Sequence, residues 1–480
     1  MMETALIAIP LLAAMTAFAW PAERSRRWLL PVTGILHAAF TLALLAARPG
    51  SSAAVWFGFD PLARAVLPMV SLLFLVCAAY SATYLDLRNE RRNRVFVAAL
   101  LALLGLLSLA LQAQNLGLLW VAAEAATLTT VPLLHFNRTA RAFEATWKYL
   151  LLGSTGIALS LLGSFCLSYA SLYGSGSGDL TFAGLAARGA SLSRPWVVAA
   201  WVLLLAGYGT KMGLAPMHTW KPDAYGEAPG VVGALMAGGL TTVAFVAVLR
   251  VKRVVDAAGE AAMTERTLLT IGLFSMFVAA LFLLGTRDFK RMLAYSSIEQ
   301  MGILSVGAAL GTAGLAAALF HVWNNGLAKG ALFLSAGNIR RAAGGRTMDE
   351  VAGMTWRTPV STRMFVAGTL AITALPPFGP FFSVVAILRA SLEGHHEVIA
   401  AVFLGSLLLA FLGLTRLVFA IVDGRPRAGA RSLGNKFRET PGIIIPPLVC
   451  LALLLWLGLS TPSVLRDSWS AAAQFLAITP

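Results

Sequence analysis

Few side chains in this 480-residue chain can carry charge, and several of those stand inside apolar runs. Glu124 lies in LLWVAAEAATLTTVPLL, with apolar or small neighbours for a full turn on either side. Lys211 follows the apolar run 196–207 and opens KMGLAPMHTWKPDAYGE, where Pro216, His218, Lys221, Asp223 and Glu227 come in quick succession. Glu299 sits in RDFKRMLAYSSIEQMG. His321 and Lys329 share FHVWNNGLAKGALFLSAGN, eight residues apart and so on one helix face, with Asn324 and Asn325 between them able to hold water. An ionisable group in apolar surroundings is expensive as an ion, so it takes up or releases a proton as its surroundings change. The chemistry on offer is proton transfer from one titratable group to the next. Lys148, in FEATWKYLLLGSTG, reads either as a lysine reaching to an interface or as an ion-pair partner that tunes Glu124. His218 reads equally as a relay or as a packing residue.

Other chemistries lack their residues. Cys77, Cys166 and Cys450 each lie in an apolar run, without a CxxC or Cys/His spacing, and read as small buried residues. A nucleotide-binding glycine motif and triad spacing are absent. The chain is expected to hold no catalytic centre, metal or cofactor of its own.

The elements that carry these groups are membrane spans. The chain is 58% hydrophobic and 12% charged, with mean hydropathy +0.76, against roughly 25% charged residues in a soluble protein. A net charge of +15 would suggest nucleic acid in a soluble chain. Here the basic residues cluster in short loops without interleaved aromatics, which excludes that partner and points to the lipid bilayer. Runs of about 20 apolar residues fall at 5–20, 28–47, 64–84, 95–112, 116–135, 147–171, 196–214, 231–249, 268–285, 293–310, 314–337, 365–388, 398–422 and 443–459. The expected fold is an all-α integral membrane protein with about 14 transmembrane helices. The first run precedes the basic PAERSRR, so it is read as a retained span and not a signal peptide.

Loops after odd-numbered runs hold about 23 Lys and Arg, against about 8 after even-numbered ones. This bias predicts a prokaryotic plasma (inner) membrane protein with both termini outside. The loop 250–266, with Arg250, Lys252, Arg253 and Arg266, is the main exception. Residues 173–195, rich in Gly and Ser, are expected to form an extended outer loop, and 461–480 to lie on the outer surface. A single membrane domain is expected over 1–480, divided into 1–94 (spans one to three), 95–250 (four to eight), 267–422 (nine to thirteen) and 443–480 (the last span and tail).

Proline breaks two of these spans. Pro216 removes a hydrogen bond just past Lys211, in span 7, and Pro376 and Pro377 do the same in ALPPFGPFF, in span 12. The two halves then look alike: a carboxylate span, lysine-bearing spans, a broken span. Broken helices in corresponding positions are the pattern of inverted-repeat transporters.

Glu124, KMGLAPMHTWKPDA, RDFKRMLAYSSIEQMG and HVWNNGLAKGALFLSAGNI together resemble the proton-translocating, antiporter-like membrane subunits of respiratory complex I, multisubunit cation/proton antiporters and membrane-bound hydrogenases. The likeness covers spans four to twelve. EATWKYLL, GYGTKMGLAPMHTW and AYSSIEQMG are most similar to the hydrogenase-4 component F type, a subunit of formate-hydrogenlyase-like complexes. The resemblance implies two inverted five-helix repeats around a hydrophilic axis. It implies a first half-channel formed by Glu124 and Lys211 with Lys148 as modulator, and a central connection through His321 and Lys329. It also implies redox chemistry in other membrane and peripheral subunits, with iron–sulfur clusters and nickel–iron or flavin there, driving proton movement here.

The sequence departs from that family in four places. Thr242 stands where members often carry a lysine or histidine in the eighth span. Val384 and Val385 stand where a glutamate or lysine commonly follows the second break; Arg389 and Glu393 are the next charges. Asn325 replaces a second histidine after His321, and Lys221 occupies a commonly apolar position. Two alternatives therefore stand beside the redox-driven proton carrier: a subunit of a sodium/proton antiporter without redox partners, and a structural membrane subunit with a partly lost channel. An outlet through Arg389 or Glu393 is a further expectation.

Overall fold

The computed structural model describes residues 2–47, 56–88, 90–424 and 437–477. The basic loop DGRPRAGARSLGNKFR, counted in the charge bias above, lies largely outside them. Among the described residues the chain is helical apart from isolated bridges at Phe57–Ala113, Asn115–Thr181 and Asp288–Thr347. In order, the helices are α1 (Met2–Ala19), α2 (Glu23–Arg26), α3 (Leu29–Ala46), α4 (Pro61–Asp86), α5 (Arg94–Gln112), α6 (Leu116–Leu134), α7 (Ala140–Ser175), α8 (Phe182–Ala187), α9 (Arg194–Met212) and α10 (Trp220–Glu227). They continue with α11 (Gly230–Leu235), α12 (Thr241–Val255), α13 (Ala261–Gly285), α14 (Phe289–Ala308), α15 (Gly311–Ala343), α16 (Pro359–Ile372), α17 (Gly379–Glu393), α18 (Glu397–Asp423), α19 (Pro441–Leu459) and α20 (Ser463–Leu476).

Short polar residues set where these helices begin. Asp60, Asn115, Thr139 and Asp288 each accept a hydrogen bond from a first-turn amide of α4, α6, α7 and α14. Nine helical stretches among the described residues are long and apolar enough to cross a membrane, so the protein is multi-pass. One of them, Gly230–Gly285, joins two apolar runs of the sequence; Gly259, at φ 87°, folds it into two rods. The first rod joins α11 to α12 through a π-helical turn at Met236–Leu240. Helices α9, α14 and α15, which hold Lys211, Glu299, His321 and Lys329, fall outside the nine, as do α16 and α17, the two sides of the second break. Helix α15 is the hub, packed on α4, α11, α14, α16, α17, α19 and α20.

Connections after odd-numbered runs meet at one end of the molecule. Arg26 donates to Asn93 at 2.6 Å, Arg91 to the Phe136 carbonyl at 3.0 Å, Asn137 to the Glu227 carbonyl at 3.2 Å and Arg340 to the Gly226 carbonyl at 2.7 Å. At the opposite end Arg250 pairs with Asp60 at 2.6 Å, and the Leu116 amide meets the Leu180 carbonyl at 3.1 Å. Three of the four basic residues that broke the charge bias have partners there. Beyond the Arg250 pair, Lys252 pairs with Asp256, and Arg253 lies 3.8 Å from the Phe475 ring centre. The expected extended loop at 173–195 is shorter than its composition suggests. Helix α7 runs on to Ser175, and α8 forms behind its Thr181 cap. Asp179 receives the Thr181 amide, which together with Arg188 holds its carboxyl below the usual range.

Helices α7 and α9 touch at backbone distance because small residues face each other. A Cβ on Gly207 would lie 2.5 Å from the Gly156 oxygen and 2.7 Å from the Ser160 nitrogen. Lys211 stands one turn further along α9, so this contact sets its depth. Gly207→Ala must push the helices apart, and overpacking of this kind costs about 1–3 kcal/mol. A thermal midpoint several degrees lower is expected for the purified protein; an unchanged midpoint would show that the contact does not hold α9 in place.

Candidate functional site

Helix α9 stops at Met212 because Gly213 turns left-handed (φ 74°) and Pro216 follows, and the chain becomes helical again only at Trp220. The break frees carbonyls inside the protein, and side chains take them up. Trp220 Nε1 donates to the Thr210 carbonyl at 2.8 Å, and Lys221 Nζ donates to that of Met212. Lys211, one residue before the end, crosses to α6. Its Nζ lies 2.9 Å from Glu124 Oε2 and 2.6 Å from Thr127 Oγ1. Thr127 donates in turn to the Ala123 carbonyl, and Thr130 meets the Tyr149 hydroxyl at 2.8 Å. The lysine is buried and the carboxylate nearly so, at 4% and 17% side-chain exposure. An ion pair this deep keeps two charges out of lipid, yet it can be neutralised by moving one proton between the partners.

Lys148 does not join this pair; of its two readings from sequence, the ion pair with Glu124 is not formed. Lys148 bonds Glu144 at 2.6 Å and Asp223 at 3.1 Å. The cause is register along α7. The Lys211 ammonium faces α7 beside Gly153, and Lys148 is five residues nearer the helix start, about 7.5 Å along the axis. Lys148 instead edges a polar cleft of about 190 Å³ lined by Arg141, Glu144, Asp223, Glu227, Arg291 and Arg346. Glu227 binds Arg340 at 3.1 Å and also Arg346. The Arg346 and Thr347 amides hold Glu350, whose carboxyl sits below its usual range, and this pins the turn that presents Arg346.

His218 lies within the first break. Its ring is 6.1 Å from Phe282, and its Nδ1 is buried without a hydrogen-bond partner. The second cluster forms where α14 and α15 run together. Lys329 Nζ donates to Ser296 Oγ at 2.8 Å and to the Leu293 carbonyl at 3.3 Å. Glu299 is one turn along from Ser296 and is fully buried. His321 sits between Gln300 Oε1 at 2.8 Å and Ser383 Oγ at 2.9 Å. Because the Gln300 oxygen only accepts, the neutral ring donates from Nε2 and accepts from Ser383 at Nδ1.

These partners tie His321 to both sides of the second break. Helix α16 ends at Ile372, before Pro376 and Pro377, and α17 starts at Gly379. Gln300 Nε2 reaches the Ile372 carbonyl at 3.5 Å, while Ser383 belongs to the first turns of α17. Asn324 also donates to Ser383, at 3.1 Å. Both breaks thus have a polar side chain on the carbonyls they free. Thr127, Ser296, Gln300 and Ser383 were not singled out from the sequence. The signal available was weak: Gln300 beside Glu299 in IEQMG, and the lone Ser383 in an aromatic and valine run.

Arg389 and Glu393 pair with each other at 2.7 Å and are exposed, whereas Ser383 and Ile387 of the same helix are buried. Val384 is buried and Val385 is exposed. Thr242 donates to the Gly238 carbonyl of its own helix at 2.8 Å.

With the geometry in place, the relatives of the chain become informative. Residues 113–410 match the family described as NADH:quinone oxidoreductase/Mrp antiporter, TM. The chain is 32% identical over 470 residues to the hydrogenase-4 component F homolog of Methylacidiphilum infernorum, covering 94% of this chain and 98% of that one. It is 33% identical over 421 residues to NADH-quinone oxidoreductase subunit N of Desulforudis audaxviator, covering 85% and 82%. In fold it is similar to a chain of the Mrp complex from a Dietzia species, with a TM-score of 0.86, 22% identity and 98% and 97% coverage. The family match spans more than half of the chain and contains every ionisable group of the two clusters, so the chain belongs to the NADH:quinone oxidoreductase/Mrp antiporter family of membrane subunits.

Proposed function

We propose that this chain is the proton-conducting membrane subunit of a redox-driven complex, of the hydrogenase-4 or complex-I kind, in which electron transfer in partner subunits drives protons through it. One observation carries the reading: the buried Lys211–Glu124 pair stands at a helix break and is followed, deeper in the bundle, by Glu299, Lys329 and His321 at a second break. Relatives named hydrogenase-4 component F and NADH-quinone oxidoreductase subunit N support a redox partner. Iron–sulfur clusters and nickel–iron or flavin then belong to the partners.

The chain crosses the membrane about fourteen times, as two inverted repeats at 95–250 and 267–422, with both termini outside. Lys211 and Glu124 exchange a proton when a charge arrives nearby, and the change passes toward Lys329 and His321. Buried polar atoms without a protein partner, among them Tyr208 Oη, Tyr225 Oη and both amide atoms of Asn325, mark sites that ordered water commonly fills, which suits a hydrated path.

The test is transport in inverted membrane vesicles that contain the complex. Electron-donor oxidation should acidify the lumen, and deletion of this chain should abolish that signal at an equal electron-transfer rate per assembled complex. Sodium-dependent exchange in vesicles lacking every redox subunit would replace this reading with that of a sodium/proton antiporter subunit.

A further inference from the structure

A second buried lysine lies beside the first break. The Lys221 side chain has 0% exposure, and its Nζ donates to the carbonyl of Met212, the residue next to Lys211. Gly213 makes room for it, since a Cβ there would lie 2.7 Å from Lys221 Cδ and 3.0 Å from Nζ. The Tyr225 ring centre is 5.7 Å away. No carboxylate pairs with Lys221 among the described residues. Asp223 is engaged by Lys148 and Arg291, and Glu227 by Arg340 and Arg346. The titratable groups that face Lys221 from other elements are Lys329 of α15 and His218 of the break, each near enough to feel its charge. Thr241 and Thr242 of α12 donate back to their own helix.

A permanently charged ammonium buried without a carboxylate partner is strongly disfavoured, and a purely structural donor at this carbonyl would not need to be ionisable. Lys221 also bonds the carbonyl of the residue next to Lys211 and lies within electrostatic reach of Lys329. We propose that Lys221 is a further proton-carrying residue of the axis, placed between Lys211 and Lys329. It alternates between an ammonium held by the Met212 carbonyl and an amine, R–NH₃⁺ releasing one H⁺ to leave R–NH₂. The proton leaves toward Lys329 when that group is neutral and is replaced from the Lys211 side. The proposal rests on the proton-conducting reading above.

The experiment uses the whole complex in vesicles, with assembly checked by native electrophoresis and transport expressed per electron transferred. Lys221→Met should lower proton translocation about tenfold or more in assembled complex. Lys221→Arg separates the two roles. It keeps donors for the Met212 carbonyl but stays protonated, so a structural role predicts rescue and a carrier predicts loss. Lys221→His, which can titrate, should recover part of the transport. If Lys221→Met fails to assemble, the arginine and histidine variants still decide. Wild-type translocation in either the Met or the Arg variant overturns the proposal. Lys211→Met run in parallel distinguishes the failures: loss there with normal transport in Lys221→Met sinks only this inference, and normal transport in both sinks the proton-conducting reading itself.

Discussion

Lys211→Met is expected to lower proton translocation per electron about tenfold or more, in a complex that still assembles. The lysine is buried, and its Nζ is 2.9 Å from Glu124 and 2.6 Å from Thr127, so methionine, of similar size, removes the titrating group together with those two bonds. Stability and transport should separate. Removing one partner of a buried pair leaves the other charge uncompensated, at a cost of about 3–5 kcal/mol. Glu124→Ala or Lys211→Met alone should therefore lower the thermal midpoint. The double change removes both charges and should recover most of that loss without recovering transport. Lys211→Arg should keep the pair and its stability but not the proton exchange, because a guanidinium does not deprotonate. Assembled double variant that pumps like wild type would reduce the pair to a structural bridge.

The positions of the charged groups were legible in the sequence because polarity inside an apolar run is itself the signal. Lys211 followed by Pro216, and Lys329 eight residues after His321, needed only hydropathy and helical period. Cross-helix partners were less so. Pairing Glu124 with Lys211, 87 residues away, came from family resemblance, and which of the two readings of Lys148 holds depends on its depth along α7, set by the helix starting at Ala140. Gln300 and Ser383 could not be singled out, since small polar residues are common in spans. Their importance arises from His321 sitting between them, a fact about three helices meeting. Residues 173–195 were misjudged for a related reason. Gly and Ser announced a loop, while the Thr181 cap and the contact of α8 with α12 made part of it helical.

Lys329→Met tests whether the second cluster lies on the same path. Its Nζ is held by the Ser296 hydroxyl and the Leu293 carbonyl, with no carboxylate at ion-pair distance among the described residues. Loss of about tenfold or more is expected, with Ser296→Ala giving a smaller decrease because one hydrogen bond and not the titrating group is removed. The informative measurement is the combination. On a single path, either break is sufficient, so Lys211→Met with Lys329→Met should transport no less than the weaker of the two single variants; effects of groups acting as one unit do not multiply. Two independent paths would instead leave each single variant with a substantial part of the wild-type flux, and only the double variant would fall to the floor. The place of Lys221 favours the first outcome: it bonds the Met212 carbonyl, next to Lys211, and lies within electrostatic reach of Lys329, so as the proposed carrier it would join the two lysines on one path.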